Sequence, residues 1–99
     1  MPIYLVDRSL PGISMDQLAA AQKAAIETSQ RFTKEGKPVR YVRTLFVPRE
    51  AHCMCVFEAA NSAVVKEVNE AANLPFKSIV EAIDLTPKYR RDLKPESDI

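Results

Sequence analysis

The stretch Val39–Glu58, V-R-Y-V-R-T-L-F-V-P-R-E-A-H-C-M-C-V-F-E, decides the fold. Two runs rich in β-branched and aromatic residues, Val39–Val47 and His52–Glu58, flank the turn-forming P-R-E-A. Strand-type runs joined by four such residues predict a β-hairpin. A loop at Pro48–Ala51 sets Val47 opposite His52, Phe46 opposite Cys53, Leu45 opposite Met54 and Thr44 opposite Cys55. Side chains alternate across a sheet, so the hairpin divides into two sets. Val42, Thr44, Phe46, Cys53, Cys55 and Phe57 are nearly free of charge and are expected beneath helices. Tyr41, Arg43, Leu45, Val47, His52, Met54, Val56 and Glu58 are expected on an open face.

Outward from the hairpin, helices stand on both sides. Upstream, S-M-D-Q at Ser14–Gln17 reads as a capping box, with Asp16 placed for the helix dipole. Leu18, Ala21, Ala25, Ser29 and Phe32 follow at helical spacing, and Gly36 with Pro38 stops the helix. Downstream, Asn61 caps a second helix whose stripe is Val64, Val65, Val68 and Ala72. The outermost runs, Ile3–Arg8 and Ser78–Leu85, read as strands. The order β-α-β-β-α-β predicts a ferredoxin-like α+β sandwich, one antiparallel sheet with two helices on one face. The domain is expected to occupy 1–87, and the Pro-punctuated, charged stretch 88–99 reads as a tail.

Composition narrows the function classes. Ninety-nine residues make one domain with one modest core. Fourteen basic against thirteen acidic side chains give +1, which supplies no field for nucleic acid or an anionic membrane. The basic run Lys88–Arg91 is too short for a nucleic-acid footprint. Two glycines exclude a glycine-rich phosphate loop. No apolar run reaches the ~18 residues of a membrane span. No charged-then-apolar leader opens the chain, and two cysteines spaced C-x-C point to a reducing compartment, so a cytoplasmic location is expected.

Candidate chemistry concentrates in His52-Cys53-Met54-Cys55. Imidazole, thiolate and thioether together suit nickel, copper or zinc. On a regular strand His52 and Cys53 point to opposite faces and cannot share an ion. Cys53 and Cys55 share a face with Cα atoms ~6.6 Å apart, wider than two sulfurs on one metal, so a shared ion would need a bulge or splayed rotamers. Free cysteine is commonly a core residue, which is the expectation here, with both retained as candidate ligands beside His52. His52 shares the open face with Tyr41, Arg43, Met54 and Glu58. Arg43 and Glu58 are expected either to pair across the hairpin or to line a pocket closed by a partner chain. Glu81 would join that pocket from the last strand. No catalytic triad can be assembled, since the chain has a single histidine.

The open face is half apolar, so a homodimer packed sheet to sheet is expected. A pocket walled by that interface could take a small organic ligand, as in dimeric α+β barrel enzymes of the same architecture. A different half-chain likeness is to tautomerases. M-P-I, S-M-D-Q and the strand at Val39 are similar to their β-α-β unit, with Pro2 in the place of the base. Met1 makes the Pro2 nitrogen an amide, which is no base.

Taken together, six segments resemble one family. They are M-P-I-Y-L-V-D-R-S-L-P-G-I, Q-L-A-A-A-Q, E-G-K-P-V-R-Y-V-R, H-C-M-C-V-F-E-A, V-N-E-A-A-N-L-P-F and I-V-E-A-I-D-L-T-P. In that order and spacing they resemble small bacterial ferredoxin-like domains described as nickel-binding, over residues 1–87. The resemblance implies a dimer that binds nickel at its surface, for sequestration or detoxification. It assigns no ligands, so His52, Cys53 and Cys55 rest on their own chemistry. The chain lacks the His-rich tract of a high-capacity nickel store.

Overall fold

The computed structural model describes residues 1–85, so the end of the domain at 87 and the tail 88–99, with its basic run, lie outside the described residues. Strands β1 (Ile3–Ser9), β2 (Val39–Val47), β3 (His52–Ala59) and β4 (Ser78–Ala82) alternate with helices α1 (Met15–Lys34) and α2 (Ser62–Ala71) in the order β1-α1-β2-β3-α2-β4. The sheet runs β2-β3-β1-β4 with antiparallel pairings throughout, the ferredoxin-like arrangement. β4 is shorter than the run Ser78–Leu85, ending at Ala82.

Local signals start and stop these elements as the sequence requires. Ser14 Oγ accepts the Gln17 N–H at 3.1 Å, and Gln17 Oε1 accepts the Ser14 N–H at 2.9 Å, closing the capping box of α1. Asn61 Oδ1 caps α2 by accepting the Val64 N–H. Gly36 follows α1 at φ +94°, a left-handed conformation that glycine adopts without a side-chain clash. The hairpin loop contains a turn of 3₁₀-helix over Pro48–Glu50 and closes through Ala51.

The core lies between the helices and one face of the sheet. Tyr4 and Val6 of β1, Cys53, Cys55, Phe57 and Ala59 of β3, Ala25 and Phe32 of α1, and Val65 and Val68 of α2 are buried together. Cys53 and Cys55 thus sit beneath the helices, as alternation from the hairpin turn requires.

One strand departs from regular alternation. The register Val47↔His52 through Arg43↔Val56 is that of the four-residue loop, but the next pairs are Tyr41↔Phe57, Arg40↔Glu58 and Val39↔Ala59. Val42 is the extra residue of a β-bulge, and beyond a bulge every side chain changes face. Tyr41 therefore leaves the open face, where it was expected, and Val42 loses its place opposite Phe57. The bulge is anchored on the helix side. The Tyr41 ring meets Phe57 edge-on at 5.6 Å, its hydroxyl bonds Gln22 of α1 and Thr44, and Val39 is buried.

Candidate functional site: the open sheet face

Four strands contribute rows of side chains to the uncovered face. One row runs Arg40, Glu58, Ile3, Ala82, the next Arg43, Val56, Leu5, Val80. A third runs Leu45, Met54, Asp7, Ser78, and Val47, His52 and Ser9 complete the face. Leu45, Val47 and Val80 are 60%, 42% and 50% exposed, so the face carries large apolar side chains in water.

Within this face β1 and β3 bring two metal-competent groups together. His52 begins β3 opposite Ser9, and Asp7 lies opposite Met54, so the two are diagonal neighbours on the same side of adjacent strands. His52 Nε2 stands 3.0 Å from Asp7 Oδ1. That oxygen is sealed from solvent, yet no donor reaches it with good hydrogen-bond geometry. An under-satisfied buried carboxylate oxygen beside an imidazole is a fitting pair of donors for a divalent transition metal. Two donors each ~2.0–2.2 Å from one ion lie about this far apart. Asp7 was not among the sequence candidates. Its signal was the lone carboxylate of that strand, at the alternation phase of Ile3 and Leu5.

The other open-face candidates are placed differently. The bulge sets Arg40, not Arg43, opposite Glu58, and Arg40 Nε lies 2.9 Å from Glu58 Oε1. This hydrogen bond, reinforced by the charge of Arg40, holds the Glu58 carboxyl below the usual carboxylate range. Arg43 instead lies 3.9 Å from Asp84. Glu81 pairs with Tyr4, whose side chain is in the core, and Ile79 of the same phase packs against that core. Glu81 is therefore on the helix side of β4, and with Tyr41 it drops out of the expected open-face pocket. Met54 remains, half-buried next to Asp7. Pro2 is exposed at the start of β1, where its carbonyl accepts the Ala59 N–H.

On the opposite side of the sheet, the Cys53 and Cys55 sulfurs lie 3.8 Å apart, so their rotamers converge. Burial, helped by the neighbouring Cys55, pushes the Cys53 thiol up to about 11, and the nearby Arg8 opposes this only in part. A thiol so hard to ionise is a poor metal ligand at neutral pH. Among the described residues no three His, Cys, Asp or Glu side chains converge on one point. No described helix is long and apolar enough to cross a membrane.

The fold and the sequence pattern have counterparts among known proteins. The crystal structure of SCO4226 from Streptomyces coelicolor A3(2) matches with a TM-score of 0.70 at 22% identity, covering 81% of this chain and 94% of that one. At that identity the likeness establishes shared architecture. No curated protein matches. The family profile described as nickel responsive protein, SCO4226-like, matches residues 4–82, from the second residue of β1 to the end of β4. By this match the chain belongs to the SCO4226-like family of nickel responsive proteins.

Proposed function

We propose that this protein binds nickel at its open sheet face as a homodimer, with His52 and Asp7 as the donors from each chain. The observation that carries this reading is the 3.0 Å approach of His52 Nε2 to a solvent-sealed, under-bonded Asp7 Oδ1. Membership of a nickel responsive family supports the choice of metal. Imidazole and carboxylate are ligand types that nickel accepts.

Two donors do not fill a nickel coordination sphere, and no third His, Cys, Asp or Glu joins them among the described residues. A two-fold partner laid on the same face duplicates the pair and covers Leu45, Val47 and Val80. Few ligands per chain and the lack of a His-rich tract suit a stoichiometric binder or sequestering protein rather than a bulk store. Calorimetric titration with nickel tests the reading. His52→Ala and Asp7→Asn should each weaken binding about tenfold or more, in line with the loss of a ligand or of its orienting partner. Unchanged affinity in both variants would move the metal elsewhere, with the Cys53–Cys55 pair the next site to test.

A further inference from the structure

A second concavity lies on the other side of the sheet. Between α1 and the sheet is a cavity of about 270 Å³, with Met15 at 70% exposure on its lining. Leu18, Ala25, Phe46 and Leu74 give it apolar walls. Into those walls are set Arg8, Gln22, Tyr41, Thr44, Cys53 and Cys55.

Arg8 is the unusual member. It lies opposite Cys53 in the β1–β3 ladder and is 2% exposed. One guanidinium nitrogen donates to the Pro75 carbonyl at 3.0 Å and the other terminal nitrogen to Asn69 Oδ1 at 2.8 Å. Asn69 is itself fully buried and held by donating from Nδ2 to the Val65 carbonyl at 2.8 Å, which turns its oxygen towards Arg8. Both acceptors are neutral, and no ion pair to Arg8 is formed among the described residues. A guanidinium has five N–H donors, so these two bonds leave donors to spare. A buried cation without an anion is costly, and here a dedicated amide and a backbone carbonyl fix it in place. Next to it runs a chain of neutral groups. The Tyr41 hydroxyl bonds Thr44, Thr44 Oγ1 lies 3.1 Å from Cys55 Sγ, and Cys55 Sγ lies beside Cys53 Sγ.

We propose that this cavity binds a small apolar monocarboxylate, its carboxylate on Arg8 and its hydrocarbon body against α1. A single cation answers a single negative charge, and the planar guanidinium fork suits a two-oxygen acceptor. An apolar cavity of roughly 150 Å³ admits benzene, so the present volume takes an aromatic or branched acid. It falls below the ~300–1,000 Å³ of pockets for drug-sized ligands. The walls are too apolar for inorganic phosphate, whose multiple charges would meet only one cation.

The test uses the full chain with benzoate, phenylacetate and isovalerate as probes and benzyl alcohol as the neutral counterpart of benzoate. Backbone and side-chain NMR shifts follow the titration. At least one acid should bind in the millimolar range or tighter, with shifts at Arg8, Leu18 and Cys53. Benzoate should exceed benzyl alcohol by about tenfold, the worth of a hydrogen bond to a charged group. Ala21→Phe, which fills the cavity from α1, should abolish the shifts, and Arg8→Met should remove the preference for the acid. If Arg8→Met does not fold, the acid–alcohol comparison on the wild type and Ala21→Phe decide. Overturning results are no binding by any of the acids, equal affinity for acid and alcohol, or undiminished binding in Ala21→Phe.

Discussion

Tyr41 meets Phe57 edge to face at 5.6 Å, and the contact exists because Val42 is an extra residue in β2. The bulge turns Tyr41 towards α1, where its hydroxyl bonds Gln22, and lets Arg40 reach Glu58 on the other face. One irregular residue thus serves both sides of the sheet. Edge-to-face aromatic pairs are worth ~0.5–1.5 kcal/mol beyond their buried area. Tyr41→Ala should therefore cost about 2–3 kcal/mol in urea unfolding, and Tyr41→Phe about 1 kcal/mol for the lost hydroxyl bonds. Equal stability of Tyr41→Ala and the wild type would contradict the packing described.

The Cys53 thiol gives the fold an alkaline limb. Its folded value of about 11 lies above the ordinary 9.0, so between these values the unfolded chain has released a proton that the folded chain retains. Stability is complete below about pH 9 and falls as pH rises towards 11, by a total on the order of 2–3 kcal/mol. In Cys53→Ala the loss of stability over that range should be smaller. In the native protein both thiols should react slowly with a thiol reagent, and quickly after unfolding.

The acid side has a smaller counterpart at Glu58. Arg40 lowers its folded value, so the contribution is present above the ordinary carboxylate range and is lost as pH falls through the lowered one. Because Arg40 is largely exposed, screening limits the contribution to well under about 1 kcal/mol. Glu58→Gln should remove that part of the acid limb and leave stability at neutral pH nearly unchanged. A large neutral-pH loss would show that the pair does more than its exposure allows.

Assembly through the open face can be tested without metal. A sheet-to-sheet dimer should bury ~1,200–2,000 Å² in total. Leu45, at 60% exposure, stands on that face beside Met54. Leu45→Glu should convert the dimer to a monomer in sedimentation or light scattering, since it would bury an unpaired charge. A wild-type monomer at high micromolar concentration would refute the interface.

What was legible in the sequence follows from what fixes each feature locally. Caps at Ser14 and Asn61 and a four-residue loop set element order and the register near the turn, so Cys53 and Cys55 could be assigned to the core from alternation alone. Val42 defeated that reasoning further along β2. The bulge carries neither Gly nor Pro, and Tyr41 and Val42 are both apolar enough to face inwards. Glu81 shares its alternation phase with Ile79, and which face that phase presents is decided only by the pairing of Glu81 with Tyr4 on β1, which turns it to the helices. Asp7 and His52 are far apart in sequence, and their meeting depends on β1 lying next to β3. Arg8 gave no signal at all, because a strand-terminal arginine normally faces water and only the tertiary partners Asn69 and Pro75 keep it inside.

Acidification bears on the metal reading too. A proton competes with nickel for the imidazole nitrogen and for the carboxylate, so affinity should decline as pH is lowered. The decline should be weaker in His52→Ala, which has lost one of the two competing groups.

X-ray absorption spectroscopy of the nickel-loaded protein identifies the atoms bound to the ion. Binding at the His52–Asp7 pair should give a shell of nitrogen and oxygen at ~2.0–2.2 Å with imidazole scattering that disappears in His52→Ala. Sulfur at ~2.3 Å, or a shell unaltered by His52→Ala, would place the nickel away from the His52–Asp7 pair and contradict binding there.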